Sequence, residues 1–144
     1  MYFEEFNQGD KFSTRSRVVT ATDIDTFAIS TGAVNPLFLD DKFAREIGLK
    51  GRIAPGLLTL SLTVGLVYLL GLFDHLNALL NFSVNFLASV NVGDEIKSTV
   101  EVIEKKETKQ KDRGIVVLKL NCQNQGGKQV LEVTNFTCLL QRKS

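Results

Sequence analysis

The sequence predicts an α+β protein in which an antiparallel sheet wraps around one long central helix. Three observations carry that reading. From Ile53 to Phe73 (IAPGLLTLSLTVGLVYLLGLF) no charged residue occurs between Arg52 and Asp74. The leucines and valines go right round a helix, so the segment has to be enclosed by protein or by lipid. Downstream, several runs place apolar residues at every second position, the period of a half-buried strand. These strands follow one another through turn signals with no repeated strand-helix-strand unit, which favours an antiparallel sheet.

Phe12 to Thr20 (FSTRSRVVT), rich in Ser, Thr and Val after the Gly9-Asp10 turn signal, reads as the first strand. Thr22 with Asp25 three positions on is a capping box for a short helix that carries Ile24, Phe27 and Ala28 inward and ends near Gly32. Gly32 to Asp40 (GAVNPLFLD) reads as irregular, because Pro36 drives Asn35 out of the helical region and Gly32 suits a C-cap. Asp40 then caps a second short helix with Phe43, Ala44 and Ile47 on one face, closed by Gly48 and Gly51. The long helix starts at Pro55. Its length alone would allow a membrane span. Thr59, Ser61, Thr63, Gly65 and Gly71 lower its apolarity, however, and its flanks show no clear Lys/Arg bias, so a helix enclosed by the rest of the chain is the better reading.

After His75 the period changes. Leu80, Phe82, Val84 and Phe86 alternate with polar residues, and so, after a turn at VNVGDEI, do Ile96, Ser98, Val100 and Val102. KKETKQKDRG reads as a charged loop whose lysines form a solvated tip. Ile115 to Gln123 and Lys128 to Arg142 then form a hairpin about Gly126-Gly127, in a register that sets Cys122 against Leu131 and Cys138 against Ile115. That register gathers Val116, Leu118, Leu120, Leu131, Val133 and Leu139 on one face. It also makes the other face apolar through Ile115, Val117, Phe136, Cys138 and Leu140, which implies a subunit contact there. The two cysteines fall on opposite faces and read as structural thiols, since their surroundings are apolar and no histidine is near in sequence.

With 144 residues, positions 1–144 read as one domain, long enough to bury a full core helix under a sheet. A net charge of +1 offers no basic field for nucleic acid and no acidic tail. The opening MYFEEFNQGDKF is acidic where a signal peptide would be basic, so a cytoplasmic location and no membrane partner are expected.

Three stretches in this order and spacing, FEEFNQGDKF, TATDIDTFAISTGAVNPLFLD and GRIAPGLLTLSL, resemble the MaoC-type dehydratases, a family that includes the R-specific enoyl-CoA hydratases. The resemblance covers nearly the whole chain. It implies a hotdog fold, an acyl-CoA or acyl-carrier thioester as ligand, no cofactor or metal, and a homodimer or higher oligomer. Around Asn35 the family pattern resembles G-D-x-N-P-[IL]-H-x-D, in which the carboxylate and the imidazole hold and activate the water that adds to an enoyl thioester. Gly32, Asn35, Pro36, Leu37 and Asp40 match it. Ala33 stands at the aspartate position and Phe38 at the histidine position, and neither side chain can accept or give a proton. Pro55 replaces a histidine frequent in the family's I-A-H-G-[ML] turn.

On this reading the binding half of the site remains in Asn35, Phe38, Gly56, Leu57 and Ser61. Gly56 and Leu57 lie where free N–H groups and the helix dipole suit a thioester carbonyl oxygen. Ser61 resembles the family's helix serine beside the catalytic pair, or else is a core serine bonded back into its own helix. His75, the only histidine, falls too far along the helix to serve the same carbonyl and is placed to meet the helix's negative end. Asp40 and Asp41 are the nearest carboxylates, more simply read as a helix cap and a first-turn acid. Lys50 and Arg52 are placed to meet coenzyme A phosphates, or else form a solvated pair. Three functions follow: a thioester-binding protein without family-type hydratase activity, a dehydratase or thioesterase with its acid and base relocated to Asp40 or Asp41, and a non-catalytic subunit of a hotdog hetero-oligomer.

Overall fold

The antiparallel sheet expected from the alternating runs is present in a computed structural model that describes all 144 residues. A 3-10 turn at Phe3–Glu5 precedes β1 (Lys11–Ser13) and β2 (Arg17–Val18). Then come α1 (Ala21–Thr31), α2 (Pro36–Leu39), α3 (Asp41–Glu46) and α4 (Gly56–Tyr68), followed by β3 (Leu76–Phe86), β4 (Glu95–Glu107), β5 (Arg113–Gln123) and β6 (Gln129–Gln141). The sheet order is β1-β4-β5-β6-β3, with β2 also on β4, and every pairing is antiparallel. Its concave face and α4 enclose one core, in which Ile96, Leu118, Leu120, Leu131, Phe136 and Leu140 are fully buried.

The first strand is broken in two. Between the halves Thr14 is buried, and its hydroxyl accepts from the Ser98 N–H at 2.9 Å and donates to the Arg15 carbonyl at 2.8 Å. The cap of α1 is Thr20 rather than Thr22. Its hydroxyl accepts from the Asp23 N–H and the Asp23 carboxylate accepts from the Thr20 N–H, a box that the Arg17 guanidinium reinforces at 2.9 Å. Gly32 closes α1 in the left-handed region at φ 78°, as expected.

Pro36 does not break a helix but opens one, since φ near −65° suits a first helical position. Asn35 is extended as expected and its side chain accepts from the Leu37 N–H at 2.9 Å. Asp40 caps α3 by accepting from the N–H groups of Lys42 and Phe43. Of the apolar trio on α3 only Ala44 is buried; Phe43 and Ile47 stay exposed.

α4 is shorter and less enclosed than expected. It ends at Tyr68, where the chain turns through Gly71 at φ 78°. Leu58, Thr59, Thr63, Leu66 and Val67 are buried, but Leu57, Tyr68 and Leu69 keep 62%, 49% and 64% of their surface. The apolar ring is therefore covered on one side by the sheet and uncovered on the other. No helix is long and apolar enough to cross a membrane.

β3 begins four residues before the expected strand and is irregular, with register shifts between Leu76 and Ala78, Leu79 and Asn81, and Ser83 and Val84. Phe82 and Val84 turn inward, whereas Leu80 and Phe86 are about half exposed along the open edge of the sheet. β4 alternates as expected, with Ile96, Ser98, Val100 and Val102 buried, and runs through to Glu107. Only residues 108–112 remain of the charged loop.

The hairpin register holds from Cys122, which faces Leu131, to Leu120, which faces Val133; it is shifted by one at the turn, where Gln123 faces Gln129, and slips again further along. A bulge in β6 sets Leu118 against Phe136 and Val116 against Cys138, because two residues, Thr134 and Asn135, occupy the span opposite Lys119. Phe136, Cys138 and Leu140 thereby join the core face, and Leu139 moves to the other one. Both cysteines face the core, contrary to the expectation, and the hairpin no longer has two fully apolar faces. The uncovered apolar surface lies instead on α4 and β3. Burial pushes the Cys138 thiol up to about 12, and burial also raises that of Cys122 against the opposing Thr63 hydroxyl.

Two outcomes follow. A methyl at Gly114 would meet the Phe3 ring at 2.5 Å, so Gly114→Ala should cost about 1–3 kcal/mol in urea unfolding. Gly126→Ala, with no neighbour inside 3.5 Å, should change little. Both thiols should resist iodoacetamide at pH 8 until the protein is unfolded, as followed by mass spectrometry.

Candidate functional site

Three segments meet at the amino end of α4: the stretch 33–40, the stretch 51–58 and the chain leaving β3. Arg52 ties the first two together. Its Nε donates to the Phe38 carbonyl at 2.6 Å, its guanidinium pairs with Asp25 of α1, and its backbone N–H donates to the Asp41 carboxylate at 2.8 Å. The Arg52 side chain is only 13% exposed. This arginine is therefore committed inside the chain and is not free for a phosphate, which corrects its pairing with Lys50.

Beside the tip lies a cavity of about 330 Å³, lined by Phe38, Ile53, Gly56, Thr59, Phe86 and Val130 among others. The N–H groups of Leu58 and Thr59 both donate to the Pro55 carbonyl at 3.0 and 3.1 Å. Those of Gly56 and Leu57 come first in the helix and have no partner within the chain, so the helix start presents two donors and the positive end of its dipole. A Cβ at position 56 would sit 3.0 Å from the Phe86 ring, so glycine lets that ring close over the helix start.

A second hollow of about 400 Å³ runs along the uncovered side of α4 against β3, lined by Leu60, Ser61, Val64, Tyr68, Leu79 and Phe82 among others. Phe38 and Gly56 thus share one cavity, Ser61 lies on the other, and Leu57 is exposed on the stripe that leads towards the second hollow. The Ser61 hydroxyl donates back to the Leu57 carbonyl at 2.8 Å, the intrahelical arrangement rather than a contact with Phe38 or Ala33. Ala33 is half-buried, and its N–H donates to the Thr31 hydroxyl. Asn35 spends its side-chain oxygen on the cap of α2.

Asp40 caps α3 through Oδ1, Asp41 accepts from the Arg52 N–H through Oδ1, and neither lines the cavity at Gly56. His75 lies beyond the other end of α4, stacked on the Tyr2 ring at 3.7 Å between centroids, a partner that spacing did not suggest. No group of three or more His, Cys, Asp or Glu is placed to hold a metal ion. The cavity walls from Phe86 to Val90 and from Val130 were not read as site residues, because no motif marks them and they join the tip only through the β3-β6 pairing.

The curled antiparallel sheet over α4, with its cavities at the helix tip and flank, is a hotdog fold. Residues 5–123 match the MaoC like domain, and the chain belongs to that family, which is related to R-hydratases and dehydratases. A solved structure described as a monoamine oxidase regulatory protein from Archaeoglobus fulgidus is 34% identical, with a TM-score of 0.90, covering 100% of this chain and 96% of its own. The (R)-hydratase from A. caviae involved in PHA biosynthesis is 27% identical, with a TM-score of 0.75, covering 97% of this chain and 99% of its own. The C-terminally truncated HadBC complex of Mycobacterium tuberculosis, a 3R-hydroxyacyl-ACP dehydratase, shares the fold at 20% identity and a TM-score of 0.77, covering 92% of this chain and 96% of its own. No curated protein matches the chain.

Replacing Arg52 by Gln leaves the Phe38 carbonyl and Asp25 without their shared donor. The expected cost is about 1–3 kcal/mol, as for other hydrogen bonds to charged groups, seen as a thermal midpoint several degrees lower. Lys50→Gln, at an exposed position, should leave the midpoint unchanged.

Proposed function

We infer that this chain is a cytoplasmic, single-domain hotdog protein of acyl-thioester metabolism that binds acyl-CoA or acyl-carrier thioesters without catalysing the hydration typical of its relatives. The reading is supported by one observation above all: no carboxylate or imidazole lines the cavity at the tip of α4, in keeping with Ala33 and Phe38 standing in sequence where the resembled family pattern has its aspartate and histidine, and the only histidine stacks on Tyr2 past the far end of the helix. Adding water across an enoyl thioester requires one group to take the water's proton and one to protonate the carbon next to the carbonyl. Each such group is worth about 100- to 10,000-fold in rate. With both absent, the site has no route for either proton.

The binding half has support of its own. The unpaired N–H groups of Gly56 and Leu57 suit a thioester carbonyl oxygen, and the apolar hollow along Leu60, Val64 and Phe82 suits an acyl chain. Phe38 lines the cavity at Gly56 and leaves this hollow open. The relocated-base alternative is weaker, since neither Asp40 nor Asp41 lines the cavity at Gly56.

The exposed stripe of α4 and the open edge of β3 call for cover. A second copy of this chain is the occupant in this reading, as a homodimer. An active hotdog chain on the same surface would make this protein the non-catalytic member of a hetero-oligomer, and purification with such a partner would favour that assignment.

Crotonyl-CoA should lose its enoyl absorbance at least about 1,000-fold more slowly with this protein than with an R-hydratase assayed beside it. Butyryl-CoA should nevertheless bind, as read by calorimetry. Turnover close to that of the R-hydratase would overturn the reading.

A further inference from the structure

Residues 35–50 carry α2 and α3 and bring Phe38 to the cavity at the tip of α4, yet very little attaches them to the rest of the chain. Most of their hydrogen bonds stay within the segment. Asn35 and Asp40 cap its two helices, and the N–H groups of Gly48 and Leu49 turn back to the Arg45 and Ala44 carbonyls. Lys42 pairs with Glu46, also inside it. Every hydrogen bond that crosses to the remainder of the protein goes through Arg52, whose Nε donates to the Phe38 carbonyl at 2.6 Å and whose N–H donates to the Asp41 carboxylate at 2.8 Å. Of the side chains in the segment only that of Ala44, a methyl group, is fully buried.

The backbone on either side is built to swing. Gly32 before the segment and Gly48 after α3 hold φ at 78° and 96°, the left-handed region that glycine enters without strain. Beyond these two points the chain is fixed. Ile24 and Ala28 of α1 are buried, Ile53 bridges to Asn91, and the Ala54 N–H donates to the Val90 carbonyl at 2.7 Å. Asp25 of α1 holds the Arg52 guanidinium, so a single residue, itself anchored to the body, ties the segment down.

We propose that residues 35–50 are a lid over the cavity at the tip of α4, latched by Arg52, which opens to let a ligand in and out. With the latch closed, the Phe38 ring is part of the cavity wall. With it open, Phe38 leaves with the lid and the helix start at Gly56 is uncovered. Such a movement sets the pace of ligand exchange. That the ligand is an acyl thioester rests on the reading above; the opening itself needs only the chain.

Hydrogen exchange on the whole protein tests it. Helices of four and six residues do not persist alone in water, where even about 12–15 residues are marginal, so the amides of α2 and α3 lose protection each time the lid detaches. In the wild-type protein they should exchange well before those of α4. Arg52→Gln should speed them about tenfold, as the loss of a hydrogen bond to a charged group implies. Gly114→Ala, which strains β5 against Phe3, should leave them at the wild-type rate, because the lid opens without unfolding the sheet. Butyryl-CoA at about ten times its Kd should slow them about tenfold, and Arg52→Gln should release that ligand about tenfold faster in stopped flow.

Lid amides as slow as those of α4, or accelerated by Gly114→Ala, would exchange only through global unfolding, which would overturn the lid. Lid amides indifferent to Arg52→Gln would overturn the latch. Bound butyryl-CoA that leaves lid exchange unchanged would overturn the gating role. Failure of butyryl-CoA to bind, with lid exchange as expected in the ligand-free variants, would uphold the lid and overturn the thioester reading.

Discussion

The structure depends on packing one uncharged helix against the concave side of an antiparallel sheet. Leu58, Leu66 and Val67 are buried on α4, and each contributes about 1.5–3 kcal/mol by leaving water. On that side the buried Thr63 hydroxyl donates to the Thr59 carbonyl at 2.8 Å within the helix. The sheet meets the helix because β6 carries a bulge that brings Phe136, Cys138 and Leu140 onto the same face as Leu131 and Val133. Without that extra residue the distal half of the hairpin would turn its large side chains away from α4.

This packing also determines where function can sit. With one flank of α4 under the sheet, its amino tip and its other flank remain as open surfaces, and each carries a cavity. Arg52 holds α1, α2 and α3 together beside the tip and anchors the Phe38 backbone there. Most of the side chains that line the cavity there are apolar, and no carboxylate or imidazole is among them, which is the arrangement the proposed binding without hydration rests on.

Much of the fold was legible because its signals are local. Alternation in β4, the Gly32 and Asp40 caps and the turn at Gly126-Gly127 each follow from a few neighbouring residues. The mistakes arose where distant parts of the chain decide the outcome. Thr20 and Thr22 both fit the capping-box spacing, and Arg17, holding Asp23, favours the first. A hairpin register extrapolated from its turn cannot include a bulge at Thr134 and Asn135, and that single extra residue reversed the faces of Cys138, Phe136 and Leu140. For the site, Phe38 and Gly56 were found from motif positions. The Phe86–Val90 wall comes to the tip through strand pairing and carries no motif. The commitment of Arg52 was hidden because Asp25 is far away in sequence.

The central claim is that the tip of α4 holds an enoyl thioester and leaves it unchanged. Saturating the protein with crotonyl-CoA in calorimetry and then weighing the recovered ligand tests both halves in one sample. The account predicts a saturable heat of binding and a ligand of unaltered mass. A recovered ligand heavier by one water, formed at the pace of an R-hydratase control, would contradict it.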